Sequence, residues 1–460
     1  MADLPSDEDL TCAVIGAGPT GLAALRTLQR YGVPAVGYEL ADDVGGLWHI
    51  DGPRSTMYES AHLISSKTTT AYAEFPMREE VADYPSHREL HGYFRDFADT
   101  FGLREQIRFG TEVTAVEPDP DPASEQWLVT STGPDGTRTE RHSAVLLCNG
   151  TLSEPSVPTF EGSFDGEVMH TSRYRDADVF AGKRVLIIGA GNSGCDIAVD
   201  AAHRAASVDL SVRRGYYFVP KYLFGKPADT LNQGKPLPAR IKQAVDSRVL
   251  KAFTGDPVRF GFPKPDYKIY ESHPIVNTLV LHHIGHGDVT VRPDIDRLDG
   301  DGVRFVDGQR HEYDLVVLAT GYRLHYPFVD RELLAWDGWS PQLFLNIFPP
   351  RRTPAQSTLF VLGMLEASGI GWQGRYAQAE LVAAYLRARR DDPAAAAEMD
   401  RRIAGPKPDL TGGYRYLALE RMSYYVNKDA YKASLAEHLA LLDPLPAPEP
   451  SAPRTHEEVR

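Results

Sequence analysis

The chain has 460 residues, 42% of them hydrophobic and 24% charged, with a formal net charge of −14. That length can bury a large core and fill two or three domains, while the acidic balance argues against a nucleic-acid partner. No apolar run reaches the ~18 residues of a membrane span and the opening MADLPSDEDL is acidic where a secretory signal is basic and apolar, so no membrane contact and a cytoplasmic setting are expected.

Residues 1–10 read as a frayed tail. Cys12 to Ile15 is a short apolar run that stops at Gly16, the pattern of a buried strand. The segment Gly16-Ala17-Gly18-Pro19-Thr20-Gly21 follows, then Leu22, Leu25 and Leu28 at helical spacing, a second strand over 33–38, and Glu39. Gly16 allows a tight turn, Gly18 lets the backbone approach a pyrophosphate, and Gly21 lets the helix pack close on the strand. The helix N-terminus offers free N–H groups and a positive dipole end to phosphates. Glu39 stands where a carboxylate accepts hydrogen bonds from ribose hydroxyls. In the following Gly45-Gly46-Leu47-Trp48, the glycine pair fits a close approach of backbone to ligand, and Trp48 reads either as a flat apolar wall or as core.

Residues 58–77 are irregular and rich in hydroxyls, either surface loop or site lining. Ser86 and Glu89 form a capping box ahead of a helix with Leu90, Phe94, Phe97 and Phe101 on one face. Residues 126–130 and 144–148 read as strands around the turn Gly133-Pro134-Asp135-Gly136. Pro155 and Pro158 mark a crossover out of the first domain.

Residues 183–214 repeat the opening pattern: a strand over 185–188, Gly189-Ala190-Gly191-Asn192-Ser193-Gly194, a helix over 195–206 and a strand over 208–212. Here the unit ends in Arg213-Arg214, 24 residues after its first glycine, where the first unit places Glu39 after 23. A carboxylate suits free ribose hydroxyls, and guanidinium groups suit a 2′-phosphate. The first seat should therefore prefer FAD or NAD and the second NADP, unless the arginines are merely a solvated strand end.

Residues 216–283 are rich in proline and aromatics and read as a helical excursion. His282, His283 and His286 lack acidic or cysteine partners at ligand spacing, so no metal is expected. Short strands follow over 289–307, then a buried strand over 315–318 running into Ala319-Thr320-Gly321-Tyr322, a turn that could bring backbone near a cofactor. A strand over 359–362 and a helix over 376–389 come next, and from Pro444 the proline-rich chain is expected to be disordered. Cys12, Cys148 and Cys195 stand far apart and read as small core residues, with neither a disulfide framework nor metal spacing.

With these residues in view, the chain resembles the flavin-containing monooxygenases, the class B flavoprotein oxygenases, over about residues 10–390. GAGPTG at 16–21, Glu39 with GGLW at 45–48, GAGNSG at 189–194 and ATGY at 319–322 carry the resemblance. Between the glycine units, Phe164, Gly166, His170 and Tyr174 match the family fingerprint FxGxxxHxxxY. Baeyer–Villiger monooxygenases of the usual type have Trp at the position of Tyr174.

The resemblance implies an α/β fold with two Rossmann-like dinucleotide-binding domains, the NADPH domain inserted into a discontinuous FAD domain. The expected boundaries are 1–168 for the first FAD part, 169–314 for NADPH with the excursion at 216–283, 315–443 for the second FAD part and its helices, and 444–460 for a disordered tail. It implies that Gly16, Gly18, Pro19, Thr20, Gly21, Glu39, Gly46, Leu47, Trp48 and Gln378 bind FAD. Gly189, Gly191, Asn192, Ser193, Gly194, Arg213 and Arg214 would bind NADPH, with Thr320 and Gly321 close by, and His170 would be a structural group at the hinge. The implied cycle passes hydride from NADPH to FAD, forms a C4a-hydroperoxide with molecular oxygen, and gives one oxygen atom to a small-molecule substrate. The cofactors carry that chemistry, so no paired-carboxylate or Ser-His-Asp constellation is needed. A homodimer is compatible with this reading.

One departure bears on the chemistry. The family loop beside the flavin reads Tyr-x-Ser-x-x-x-Asn-x-Ser-Lys; here Tyr58, Ser60, Ser66 and Lys67 align, but Ile64 replaces the asparagine. Ile64, Ser65, Ser66 and Lys67 are the candidate catalytic segment. Isoleucine excludes water but donates no hydrogen bond, so Ser65, Ser66 or a backbone N–H must substitute, or more hydrogen peroxide escapes. Oxygenation of an amine or thioether leads the expectations. Baeyer–Villiger insertion into a ketone or aldehyde, or an NADPH oxidase releasing peroxide, stay open. The isolated cysteines exclude a disulfide reductase.

Overall fold

The computed structural model describes residues 11–232, 237–351 and 353–451. The frayed tail expected at 1–10, and residues 452–460 of the expected disordered tail, lie outside them.

The first glycine turn joins β1 (Cys12–Ile15) to α1 (Pro19–Arg30), which returns to β2 (Ala35–Tyr38). A long irregular stretch leads to α2 (His87–Thr100), opened by the capping box: Ser86 Oγ accepts from Glu89 N, and Glu89 accepts from Ser86 N at 2.8 Å. Leu90, Phe94 and Phe97 are wholly buried on its inner face, while Phe101 caps the helix end at the edge of the core. After β3 (Ile107–Arg108) comes an antiparallel meander of β4 (Glu112–Pro118), β5 (Trp127–Gly133) and β6 (Gly136–His142), turning at Gly-Pro-Asp-Gly. The polar, largely exposed β6 carries no apolar run to announce it. The chain then enters the first sheet again as β7 (Ala144–Leu147).

The second unit starts with β8 (Glu167–His170) and repeats the motif as β9 (Arg184–Ile188), α3 (Asn192–Ala202) and β10 (Ser207–Ser211). The excursion contains α4 (Ala239–Thr254) and α5 (Leu279–His286). It is followed by β11 (Val289–Arg292), the small antiparallel sheet of β12 (Ile295–Asp299), β13 (Gly302–Phe305) and β14 (Arg310–Glu312), and β15 (Leu315–Leu318). The second sheet is parallel throughout, in the order β11-β10-β9-β15-β8. The chain returns to the first unit as β16 (Leu359–Val361), completing a parallel sheet in the order β16-β7-β1-β2-β3. Helices α6 (Gln373–Asp391), α7 (Pro393–Ala404) and α8 (Lys428–Leu439) follow, with α6 packed against α1. Both sheets are the buried, apolar kind that parallel pairing requires: β1, β7 and β15 are buried at every residue. The strand order reverses at β1 in the first sheet and at β9 in the second, and ligands of open α/β sheets bind beyond the carboxyl ends of the strands at such switch points.

Two expectations need correction. The boundary set at 314/315 cuts through the second sheet, because Leu315–Leu318 pairs with β9 and not with the first sheet; the boundary at 168/169 likewise divides β8. A four-residue apolar run reads the same in either sheet, and pairing alone decides. The tail is also better defined than its composition suggests. Leu445 N donates to Tyr31 Oη at 3.1 Å, Arg30 donates to the Pro446 carbonyl at 2.8 Å, and Ser451 N donates to the Glu74 carbonyl at 2.7 Å. Leu445 and Pro446 are therefore tied to the end of α1, and Ser451 to Glu74.

Candidate functional site

The two glycine turns build two seats of the same design. At the first, Gly16 has φ +100°, and a Cβ on Gly21 would lie 1.8 Å from the Gly16 carbonyl oxygen, so only glycine lets α1 approach β1 this closely. Gly18 N-caps α1 without a side-chain cap, which leaves first-turn N–H groups for a ligand. A Cβ on Gly18 would sit 3.4 Å from the Cα of Gly46, so the turn Gly46–Trp48 forms the opposite lip. Trp48 meets Trp372 edge-on at 6.2 Å and packs, partly buried, against the core.

Glu39 is buried, and its carboxylate already accepts from Ala17 N at 2.6 Å and Ala41 N at 2.9 Å. Burial raises its pKa, against those backbone N–H groups that favour the charged form. One acid thus fixes the glycine turn, and its remaining lone pairs are of the kind that suit ribose hydroxyls. Beside Gly16 and just past the end of β7, Asn149 donates to the His325 carbonyl at 2.8 Å while its buried Oδ1 has no partner. An orphaned acceptor at the mouth of a nucleotide crevice fits an absent hydrogen-bonding ligand. These residues fit FAD.

At the second seat a Cβ on Gly194 would fall 2.0 Å from the Gly189 carbonyl oxygen, while Gly191 faces open space. Gly191 caps α3, again without a side-chain cap. Arg213 is exposed, with no hydrogen bond or ion pair among the described residues. The Arg214 guanidinium lies 5.5 Å from the Tyr216 ring, and its buried Nε donates to nothing. Two guanidinium groups with spare donors fit a 2′-phosphate, hence NADPH. Ser193 is half-buried on the first turn of α3 with its hydroxyl free among the described residues. Asn192 differs from expectation: its amide accepts from Val276 N at 2.7 Å and points its NH2 at the Pro274 carbonyl at 3.4 Å, so the side chain holds the excursion and only its backbone faces the seat.

Between the seats, the loop from Tyr58 to Thr70 is stitched to the second unit. Tyr58 donates to Asp196 at 3.0 Å, and Ser60 and Tyr174 donate to Asp200 at 2.5 and 2.7 Å. Ser66 donates to Asp229 of the excursion from its backbone N at 2.7 Å and from its hydroxyl at 3.0 Å. Lys67 gives its ammonium to the carbonyls of Arg78, Glu79 and Val81. Both are therefore occupied as braces and not free for catalysis. Ser65 is tied to Thr70 Oγ1 at 2.7 Å, and Ile64 beside it is half-exposed.

The same loop abuts the turn before α6, where Trp372 N donates to the Thr70 carbonyl at 2.9 Å. Asp196, Asp200 and Asp229 are the residues that sequence reasoning missed. Asp196 is the one with a legible signal, a carboxylate a few residues past the second glycine turn, and burial raises its pKa.

The remaining candidates are also supports. His170 Nε2 contacts the Gly321 carbonyl at 3.1 Å while Nδ1 accepts from Ser172 N at 3.0 Å, and burial lowers its pKa, so the ring is a neutral tie. Thr320 donates to the Ser156 carbonyl at 2.5 Å, and Gly321 offers a ligand only its Cα side, which is open. Gln378 is 0% exposed; it accepts from Gly363 N at 2.9 Å and donates to Tyr431 at 2.6 Å, so it cannot touch a cofactor and instead positions the Gly363 turn. Gln378→Leu should then lower stability by about 1–3 kcal/mol through the stranded Gly363 N–H, read by urea denaturation, with the bound flavin spectrum unchanged. His283 contacts Asp288 at 2.9 Å, and no group of three potential metal ligands occurs among the described residues.

Comparison with known proteins matches residues 10–406 to the family model "FMO-like: Flavin-binding monooxygenase-like". The chain belongs to that family. It is 30% identical over 375 residues to flavin-containing monooxygenase 5 of Oryctolagus cuniculus, covering 78% of this chain and 69% of that one. With flavin-containing monooxygenase 1 of Homo sapiens it is also 30% identical over 375 residues, covering 78% and 70%.

Among solved structures, closed cyclohexanone monooxygenase superposes with a TM-score of 0.66 at 21% identity over 94% of this chain and 97% of that one. The S-allyl-L-cysteine S-oxygenase of Allium sativum gives 0.64 at 20% identity over 94% and 88%. These two show a shared fold. The protein is thus an oxidoreductase of the flavin-binding monooxygenase-like family, and the two seats suit the cofactors FAD and NADPH. No helix among the described residues is long and apolar enough to cross a membrane.

Proposed function

We propose that this protein uses NADPH and molecular oxygen to transfer one oxygen atom to a soft nucleophile, an amine or a thioether, of a small molecule. The observation that carries this reading is the pair of glycine seats with opposite charge partners, Glu39 and Arg213-Arg214, on two sheets bridged by the Tyr58–Thr70 loop. Bound flavin would supply hydride acceptance and oxygen activation. The chain's own residues would do the rest. Gly16–Gly21 and Glu39 would hold FAD, and Gly189–Gly194 with both arginines would hold NADPH. Ile64 would keep water out of the gap, and Asp229 would hold the loop in place through Ser66 and Thr69.

Oxygen-18 labelling with a panel of thioethers, amines and ketones tests the reading: label in a sulfoxide or N-oxide supports it. Label in an ester would replace it with Baeyer–Villiger insertion. A second reading, an NADPH oxidase, is favoured by Ile64, which offers no donor where the family has an amide. Ile64→Asn should accordingly cut the fraction of NADPH lost to hydrogen peroxide severalfold, measured as peroxide formed per NADPH consumed. An unchanged ratio would mean that this position does not control coupling.

A further inference from the structure

A second cleft, of about 520 Å³, opens where the two units join, lined by residues 53–56 of the first unit, 153–154 of the outgoing linker and Ser172, Arg173 and Arg175 at the entry to the second. Its walls are braced. Arg175 donates to the carbonyls of Met57, Ser172 and Tyr174 from one nitrogen and to that of Ser55 from another, at 3.0–3.3 Å, which fixes the two walls to each other. Ser55 in turn donates to the Leu47 carbonyl at 2.6 Å, setting one wall against the cofactor turn.

Two further guanidinium groups line this cleft, Arg54 and Arg173, both exposed and neither with a hydrogen bond or ion pair among the described residues. Ser153 adds a hydroxyl, while that of Ser172 contacts His170 Nδ1 at 3.0 Å. The one carboxylate, Glu154, is already paired with Arg323 at 3.2 Å. In a chain of net charge −14, a braced cleft with three arginines and one neutralised acid is a local reversal of sign.

We propose that this cleft is a binding site for an oxyanion, the phosphate or carboxylate group of a small molecule, held by Arg54 and Arg173 with hydroxyl support. Neither arginine is among the residues assigned above to the FAD or NADPH seat. Guanidinium groups match both anions in geometry and stay charged at any working pH. The position gives the site a consequence, because an anion bridging Arg54 and Arg173 would link the first unit to the second at their junction.

The test is calorimetric titration of inorganic pyrophosphate, and separately of citrate, into the FAD-loaded protein saturated with NADP⁺ at low salt, so that the nucleotide seats are already filled. Binding that falls at least tenfold in the R54Q/R173Q variant, and that persists in R213A, supports the site. The two probes distinguish a phosphate from a carboxylate ligand. No binding to the wild-type protein, or equal binding to wild type and R54Q/R173Q, overturns it. Both side chains are exposed, so the variant should fold, and unchanged flavin content verifies that. Because heat of binding is the readout, a failure of oxygen transfer would leave the result standing.

Discussion

Gly21→Ala should yield a protein that carries less than about one tenth of the wild-type flavin per chain, since misplacing binding groups by ~1 Å alone costs on the order of 100-fold. The added methyl would lie 1.8 Å from the Gly16 carbonyl oxygen, a backbone atom held in place by the hydrogen bond from Gly16 N to the Tyr38 carbonyl at 2.8 Å. Helix α1 must therefore back away from β1. That moves the uncapped N–H groups of its first turn, and overpacking of this kind also costs about 1–3 kcal/mol of stability. Gly92→Ala is the matched control: it sits inside α2 with nothing within 4 Å of the new Cβ and should be neutral or stabilising by about 0.5–1 kcal/mol. The ratio of flavin absorbance to protein absorbance reads both. A Gly21→Ala preparation with full flavin content would mean that the cofactor does not sit on this turn.

The second large effect falls on coenzyme choice. Arg213→Ala with Arg214→Ala should raise KM for NADPH about 100-fold and change KM for NADH by about twofold at most, because hydrogen bonds to a charged group are worth about 1.5–3 kcal/mol each and ~1.4 kcal/mol is tenfold. The asymmetry is the point. NADH lacks the phosphate these side chains are proposed to grip, so its binding has little to lose. KM for NADPH in the unaltered enzyme should also climb with salt, since Arg213 is exposed and its interactions are screened. Equal losses for both coenzymes would show that the arginines brace the strand end without reading the phosphate.

Sequence reasoning located the parts whose job is done by their own backbone. The two glycine turns, their helices and strands, and the acid and arginines at the strand ends all follow from spacing within about 30 residues. It failed where a side chain's partner comes from far away. Gln378 looks like a cofactor ligand until Gly363 and Tyr431 are seen to use both ends of its amide. Asn192 is claimed by Pro274 and Val276 of the excursion, and Ser66 by Asp229, 163 residues on. Such pairings leave no periodic trace. The Leu315–Leu318 strand failed for the opposite reason: its own pattern was plain, but two sheets could have claimed it.

The interruption of the first sheet bears on how the molecule is made. Strand β7 pairs with β16, and about 210 residues, roughly 150 of them the second unit, emerge between them. At a ribosomal pace of about 5–20 residues per second, that leaves β7 as a bare apolar edge for roughly 10–40 s. The inserted unit has all five strands of its parallel sheet by Leu318 and can close first. Nascent chains should therefore acquire a protease-resistant nicotinamide-binding half before the flavin half, and overproduction that outruns chaperones should lose protein through the waiting edge.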